Sequence, residues 1–256
     1  MEVIFIFFIA HWYLSLFFQT FFLHRYASHK AFTMSKGWEK VFFVLTWFFQ
    51  GSNYLSAYGY GIMHRMHHAF ADTPNDPHSP KYDESLFKMM WKTKTIYSAI
   101  TSKQMKVDER FTQDVPEWTA FDKFARSWVS RLFWGAIYVA IYWQFATVWW
   151  LWLLLPLQFM LSPIHGAIIN WFAHKYGYRN YTVGDTSRNF LPVDFLMMGE
   201  SYHNNHHKHG SRANFGGIRW HEIDPTYQVI KVLNKIGIIK LVKEKQMITA
   251  EVREAA

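Results

Sequence analysis

The stretch LFWGAIYVAIYWQFATVWWLWLLLPLQFMLSPIHGAIINWFA, residues 132–173, runs for 42 residues without one Asp, Glu, Lys or Arg. A helix that crosses a bilayer needs roughly 20 mostly apolar residues. The run is therefore long enough for two crossings joined by a turn near Gln144–Thr147. Surface helices of soluble proteins show polar faces at a 3.6-residue period; WWLWLLLP at 149–156 shows none. Two more stretches lack formal charge, VIFIFFIAHWYLSLFFQTFFL at 3–23 and VFFVLTWFFQGSNYLSAYGYGIM at 41–63. The first has neither a basic start nor a small-residue cleavage site, so it reads as a retained anchor and not as a secretory signal.

Charges and histidines fill the rest. The 256 residues carry 27 Lys and Arg against 19 Asp and Glu, a net charge of +8. Lys and Arg cluster in 25–40, 65–131 and 175–245, and by the positive-inside rule these blocks face the cytoplasm. Basic charge that flanks membrane segments suits an anionic membrane surface or an acidic partner and fits nucleic acid poorly. There is no Cys, which excludes disulfides, thiolate metal sites, cysteine nucleophiles and any iron–sulfur cluster held by the chain itself.

The histidines fall in boxes. His24 and His29 follow the first apolar run; His64, His67 and His68 follow the second; His203, His206 and His207 form a third box with the same spacing. On a helix, offsets of three and four residues return to one face, within an arc of about 100°. Each triplet would thus make half of a metal site. The offset of five between His24 and His29 turns about 140°, so either the two serve different metals or the helix ends between them. His174 closes the long apolar run at the membrane edge, with Asn170 one turn earlier on the same face, and is counted with the ligands. His11 and His165 lie inside apolar runs without partners, and His78, His209 and His221 in polar loops; these five read as non-ligands.

Eight or nine neutral imidazoles exceed the capacity of one metal, so two metals are implied, and imidazole suits Fe, Zn, Cu and Ni. Neutral ligands leave the metal charge uncompensated, so carboxylates should orient the rings from behind. Asp72, Asp76, Asp194 and Glu200 are the candidates. If all boxes build one site, they lie on one side of the membrane. The 41–63 run suffices for one crossing and not two, and one crossing would separate the boxes. It is therefore expected to be a re-entrant or interfacial segment, interrupted at Gln50-Gly51-Ser52-Asn53.

The expected fold is an all-α integral membrane protein of about three spanning helices plus that segment, with a cytoplasmic helical cap around a histidine-rich di-metal site. It forms one domain over 1–256: an anchor helix over 1–23, a first cytoplasmic part over 24–131, a membrane hairpin over 132–173 and a second cytoplasmic part over 174–256. The tail after Pro225 reads as an interfacial helix broken at Gly237.

In HRYASH (24–29), HRMHHAFADTPNDPHSP (64–80), NWFAH (170–174) and GESYHNNHH (199–207) the chain resembles the membrane fatty-acid desaturase family, and most of all its acyl-CoA desaturase branch. The resemblance implies two iron ions held by His24, His29, His64, His67, His68, His174, His203, His206 and His207, with Asn170 holding an iron-bound water. It implies an oxygen-dependent fatty acyl desaturase that removes two hydrogens from a long acyl chain, carried as acyl-CoA, and leaves a cis double bond. Only 23 residues precede His24, where animal members have a further spanning helix, so three spans are expected in place of four.

Two electrons per turnover must come from outside, since the chain holds no haem motif or Cys cluster. The expected donor is a ferredoxin or small cytochrome with its reductase. Phe, Trp and Tyr of 41–63 and 86–100 are candidates to line a bent acyl tunnel, with most of them expected to pack against lipid instead. The competing enzyme reading is a lipid or carotenoid hydroxylase or ketolase on the same scaffold. Outside enzymes, the alternatives are a bis-His haem carrier and a zinc-handling membrane protein.

Overall fold

The computed structural model describes residues 1–242. Helix α1 (Glu2–Ser28) is, among the described residues, the one helix long and apolar enough by itself to cross a membrane, with a mean hydropathy of 1.7. It is a regular α-helix to Phe18 and a wider helix with i→i+5 bonding from Gln19 to Ser28. The first box therefore rides on the end of the anchor helix itself and does not follow it at residue 23. After a short strand, β1 (Phe32–Met34), the Ser35 hydroxyl accepts the Trp38 backbone N–H and starts α2 (Lys36–Gln50). Helix α2 runs back along α1, with Phe42 on Phe21, Phe43 on Phe22, and Phe49 stacked on Phe18.

At Gly51 the chain turns. Gly51 has φ +56°, and a Cβ there would run into the Tyr138 side chain, so only glycine fits. Ser56 then caps α3 (Ala57–Phe70), which returns to the end of α1. The 41–63 run is thus two helices meeting at a polar break, and its flanks come back together, because His29 and His64 touch. Helix α4 (Leu86–Thr101) packs on α3 through Ile62, Met66, Ile96 and Ile100. Two short helices, α5 (Glu109–Thr112) and α6 (Thr119–Ala125), lead into α7 (Trp128–Phe145).

Helix α7 passes the Gly51 break, where the Tyr138 hydroxyl accepts the Ser52 N–H. A turn at 146–148 follows, close to the place expected. Then α8 (Trp149–Gln158) and α9 (Leu161–Phe172) meet at a bend of 68°. By length and composition there is, among the described residues, one crossing helix, or two if this bent pair is one broken span, where three were expected. Helix α7 carries Arg131 and the polar-tipped rings of Tyr138 and Tyr142, which lower its hydropathy. Large apolar side chains on α1 and α7, among them Ile6, Leu132 and Trp143, stand exposed, as on a surface that meets lipid.

Helix α10 (His203–Lys208) carries the third box. Helix α11 (Pro225–Lys235) starts at Asp224, whose side chain accepts the Tyr227 N–H, and buries Ile230 and Leu233 against the α1–α2 core. Its other face exposes Val229 and Val232. The break at Gly237 is present, with φ +79°, but a strand follows it. Strand β2 (Ile239–Leu241) pairs antiparallel with β1, Phe32 opposite Leu241 and Met34 opposite Ile239. This two-stranded ribbon is the departure from an all-α fold. The rest of the expected tail, beyond residue 242, lies outside the described residues.

Candidate metal centre

The first box shows why the helix widens. In a 3.6-residue helix His24 and His29 would point about 140° apart. Here the His29 N–H bonds the His24 carbonyl at 3.3 Å, an i→i+5 bond that lays one residue over the other. Both rings then face the same point. A second widened turn, Ile168–Phe172 at the end of α9, precedes His174.

The other two boxes share one spacing but are used in opposite senses. On α3, His64 and His68 join His24 and His29, while His67 turns to a second group. On α10, His203 and His207 go to the second group and His206 to the first. The outcome is a group of five (His24, His29, His64, His68, His206) and a group of four (His67, His174, His203, His207). In the first, Nε2–Nε2 separations are 2.7 Å for His29–His64, 2.9 Å for His68–His206 and 3.0 Å for His24–His206. In the second they are 3.0 Å for His174–His203 and 3.3 Å for His67–His207.

Carboxylates fix which nitrogen faces inward. Glu200 accepts from His24 Nδ1 at 2.7 Å, Asp76 from His67 Nδ1 at 2.9 Å, and Asp185 from His207 Nδ1 at 2.8 Å. The hydrogen-bond network thus assigns the proton to Nδ1 and leaves an Nε2 lone pair pointing into each group. Lone pairs this close repel unless a cation lies between them. Donors roughly 2.0–2.1 Å from one centre stand about 3 Å apart when cis, so both groups fit a divalent metal with imidazole ligands. The axial ligands of a haem face each other in pairs across the macrocycle, whereas these rings converge in fours and fives.

Of the expected carboxylates, Asp76 and Glu200 therefore touch rings of the two groups. Burial alone would push the Asp76 carboxyl up, but the hydrogen bond from His67 Nδ1 holds it below the usual carboxylate range. Asp72 accepts the Ser79 hydroxyl and the Thr186 N–H, and reaches His174 only through the Thr186 hydroxyl, 3.1 Å from Nδ1. Asp194 touches no ligand ring. It accepts the backbone N–H groups of Met197, Gly199 and Ser201 and shapes the turn before the third box. Asp185 was not foreseen: it and Asp194 are the two acids between His174 and the third box's Gly199, and no local feature prefers either.

Of the remaining histidines, His11 departs from the expectation by having polar partners, the Tyr138 hydroxyl at 3.3 Å and the Gln158 amide at 3.2 Å. His78 lies in the loop after α3, as expected, but is buried at 2 % exposure with its ring 4.3 Å from that of His67, and with His67 and Asp76 it makes a third, smaller group of possible donors. His165 packs edge-on against Trp12. His209 and His221 stay outside both groups. Asn170 lines a cavity of about 50 Å³ beside His24, His64 and His203, walled by Leu16, Tyr60, Met63, Ile169 and Met197. Of the candidates for lining a tunnel, Tyr60 borders this cavity and none of 86–100 does.

Burial first, and then the crowding of neighbouring rings, holds His29, His64, His68, His203, His206 and His207 well below 6.5. The unfolded chain takes up these protons as pH falls through about 6.5, while the folded chain resists them. The stability of the metal-free fold is therefore fully present above about pH 6.5 and is lost as pH falls toward the depressed native values. Thermal melting of the metal-stripped protein in detergent, from about pH 8 to about pH 5, should give a flat Tm at the alkaline end and a falling one below 6.5. A Tm that rises on acidification would contradict neutral imidazoles.

A sequence profile described as fatty acid desaturase matches residues 2–234. Among curated proteins, the chain is 30% identical over 227 residues to the sn-1 stearoyl-lipid 9-desaturase of Synechocystis sp., covering 86% of this chain and 65% of that one. It is 30% identical over 240 residues to the Delta-9 desaturase-like 4 protein of Arabidopsis thaliana, covering 89% and 73%. It is 29% identical over 222 residues to the Acyl-CoA C20 Delta5-desaturase of Anemone leveillei, covering 86% and 67%. Names for lipid-linked and CoA-linked acyl chains thus occur at similar identity. The expected leaning to the acyl-CoA branch is corrected to the family as a whole.

Proposed function

The chain belongs to the fatty acid desaturase family and is an oxidoreductase, and from that premise we propose that it places a cis double bond in a long acyl chain with two iron ions held by its histidine groups. The observation that carries this reading is the convergence of nine Nε2 donors in two adjoining groups beside a cavity with apolar walls. When bound, the iron pair supplies the oxidant, made from dioxygen and two electrons, that takes hydrogens from adjacent methylenes. The acyl carrier is either a membrane lipid or CoA, as among the relatives.

The chain's own residues do the rest. Leu16, Tyr60, Met63 and Ile169 seat the methylenes beside His24, His64 and His203 and keep bulk water out. Asp76, Asp185 and Glu200 hold three rings by their Nδ1 protons, so that the donors do not swing during turnover. Asn170, on the cavity wall, holds a water toward the metal pair. As residues His29 and His68 are half-buried, whereas the His207 ring is only 1 % exposed. That edge is where electrons enter from an external one-electron carrier, a ferredoxin or small cytochrome with its reductase. The basic blocks support a cytoplasmic position for this edge and the active site and favour an acidic carrier. Helix α1 crosses the membrane, α7 with the α8–α9 pair forms a hairpin in it, and the Gly51 break is the bottom of a re-entrant segment.

The test is a fatty-acid profile, by gas chromatography with mass spectrometry, of a host that expresses the chain with an electron donor. A new monounsaturated acid is expected, its bond position read after derivatisation. A new hydroxy acid would move the reading to a hydroxylase. If neither forms, metal analysis decides: zinc or haem in place of two irons per chain overturns the proposal.

A further inference from the structure

Arg25 follows the first ligand in sequence, is fully buried, and belongs to neither histidine group. A buried guanidinium is costly unless it is paired and hydrogen-bonded. Its Nε donates to the Ala213 carbonyl at 2.9 Å. One terminal nitrogen donates to Glu200 Oε1 at 3.2 Å and to the Thr20 hydroxyl, and the other to Asp224 Oδ2 at 2.7 Å. Its flat face lies 3.8 Å from the centre of the Phe215 ring.

Two of these partners lead back to metal-facing rings. Glu200 uses its other oxygen to hold His24 Nδ1. Phe215 packs its ring 4.3 Å from that of His206 and 5.2 Å from that of His24. Both rings belong to the group of five. Among the described residues, none of Arg25's partners bonds to or stacks on a ring of the group of four. Asp224 secures the arrangement from below, because it also accepts the Phe215 and Tyr227 N–H groups at 3.0 Å. Gly199 (φ +97°) sits against it so closely that a Cβ would collide with its carboxylate.

We propose that Arg25 is a positioning residue for one of the two metal sites: by anchoring Glu200 and the Phe215 ring it fixes the orientation of His24 and His206, and it has no such hold on the group of four. This rests on the reading that each group holds a metal. Anaerobic titration of the metal-free protein in detergent with ferrous iron alone separates the two ideas, with bound iron per chain and the two dissociation constants as readouts. In the wild type two irons bind. Arg25→Gln and Glu200→Gln should each weaken one site about 10–100-fold and leave the other unchanged.

Arg25→Lys, which keeps the charge but not the fork, should fall between Arg25→Gln and the wild type. The double variant Arg25→Gln/Glu200→Gln should lose less than the product of the single losses, since the two act in part through one contact. Wild-type affinity at both sites in Arg25→Gln, equal weakening of both sites, or strictly multiplicative losses overturn the proposal. If Arg25→Gln does not fold, Arg25→Lys and Glu200→Gln decide, and two wild-type sites in both overturn it. A wild-type chain that binds fewer than two irons overturns the metal reading, and the positioning role falls with it.

Discussion

Replacing His67 with Ala, or His206 with Ala, should lower turnover by about a thousandfold or more, roughly 4 kcal/mol of transition-state stabilisation, while membrane insertion stays intact. These two rings are the ones that leave their own box. His67 departs from His64 and His68 to serve the group of four, and His206 departs from His203 and His207 to serve the group of five. Each substitution therefore takes one donor from a different metal. Bound iron should fall toward one per chain in both variants, with the weakened site opposite in the two cases. His206→Ala strands no charge, whereas His67→Ala takes a hydrogen-bond donor from the buried Asp76 carboxylate; both positions sit on helices, so Ala keeps the backbone. Retained turnover in His64→Ala, His67→Ala and His68→Ala alike would sink the assignment.

The nine rings were legible because spacing is local. H-x-x-H-H on a helix must present one face, whatever the tertiary structure. Which group each ring joins was not legible. His64, His67 and His68 fall within one arc, and only the arrival of α10 from the far end of the chain splits them. The pairing of His24 with His29 was hidden for another reason. A 3.6-residue helix sets the two rings apart, and nothing in QTFFLHRYAS announces the wider bonding that brings them together. Asp185 and Asp194 show the same limit. Both lie between His174 and the third box, and only the folded loop turns one toward His207 and the other into a backbone turn. Arg25 gave no sign in sequence at all, because its partners Ala213 and Asp224 lie almost 200 residues away.

The fold divides along the same line. The charge-free runs and the turn after Phe145 follow from composition, since lipid tolerates neither charge nor unpaired backbone. The bend between α8 and α9 and the pairing of β1 with β2 do not. Three-residue strands carry too little pattern to register, and Ile239 becomes a strand residue because the core of Phe21, Phe32 and Phe42 needs covering. The requirement that the boxes share one side, together with the polar, glycine-containing centre of the run, did anticipate an interruption at Gln50–Asn53.

That interruption supports the second large effect. Gly51→Ala should destabilise the protein by about 3 kcal/mol or more and lower its Tm by on the order of 10 °C in detergent. Gly51 has φ +56° with ψ −125°, a backbone region that side-chain-bearing residues avoid. Its Cα also faces the Tyr138 hydroxyl with no room for a methyl group. The Tyr138 hydroxyl cannot simply withdraw, because it accepts the Ser52 N–H at 3.2 Å and lies 3.3 Å from His11 Nε2. An added Cβ therefore has to push α7 away or reopen the turn between α2 and α3, and either shifts the helix that carries His64, His67 and His68. Tyr138→Phe removes the hydroxyl in the collision but leaves the backbone strain. The double variant Gly51→Ala/Tyr138→Phe should melt between Gly51→Ala and the wild type, and recover turnover only in part. A Gly51→Ala protein that melts with the wild type would mean that the break tolerates a side chain and that the return of α3 to the metal centre does not depend on it.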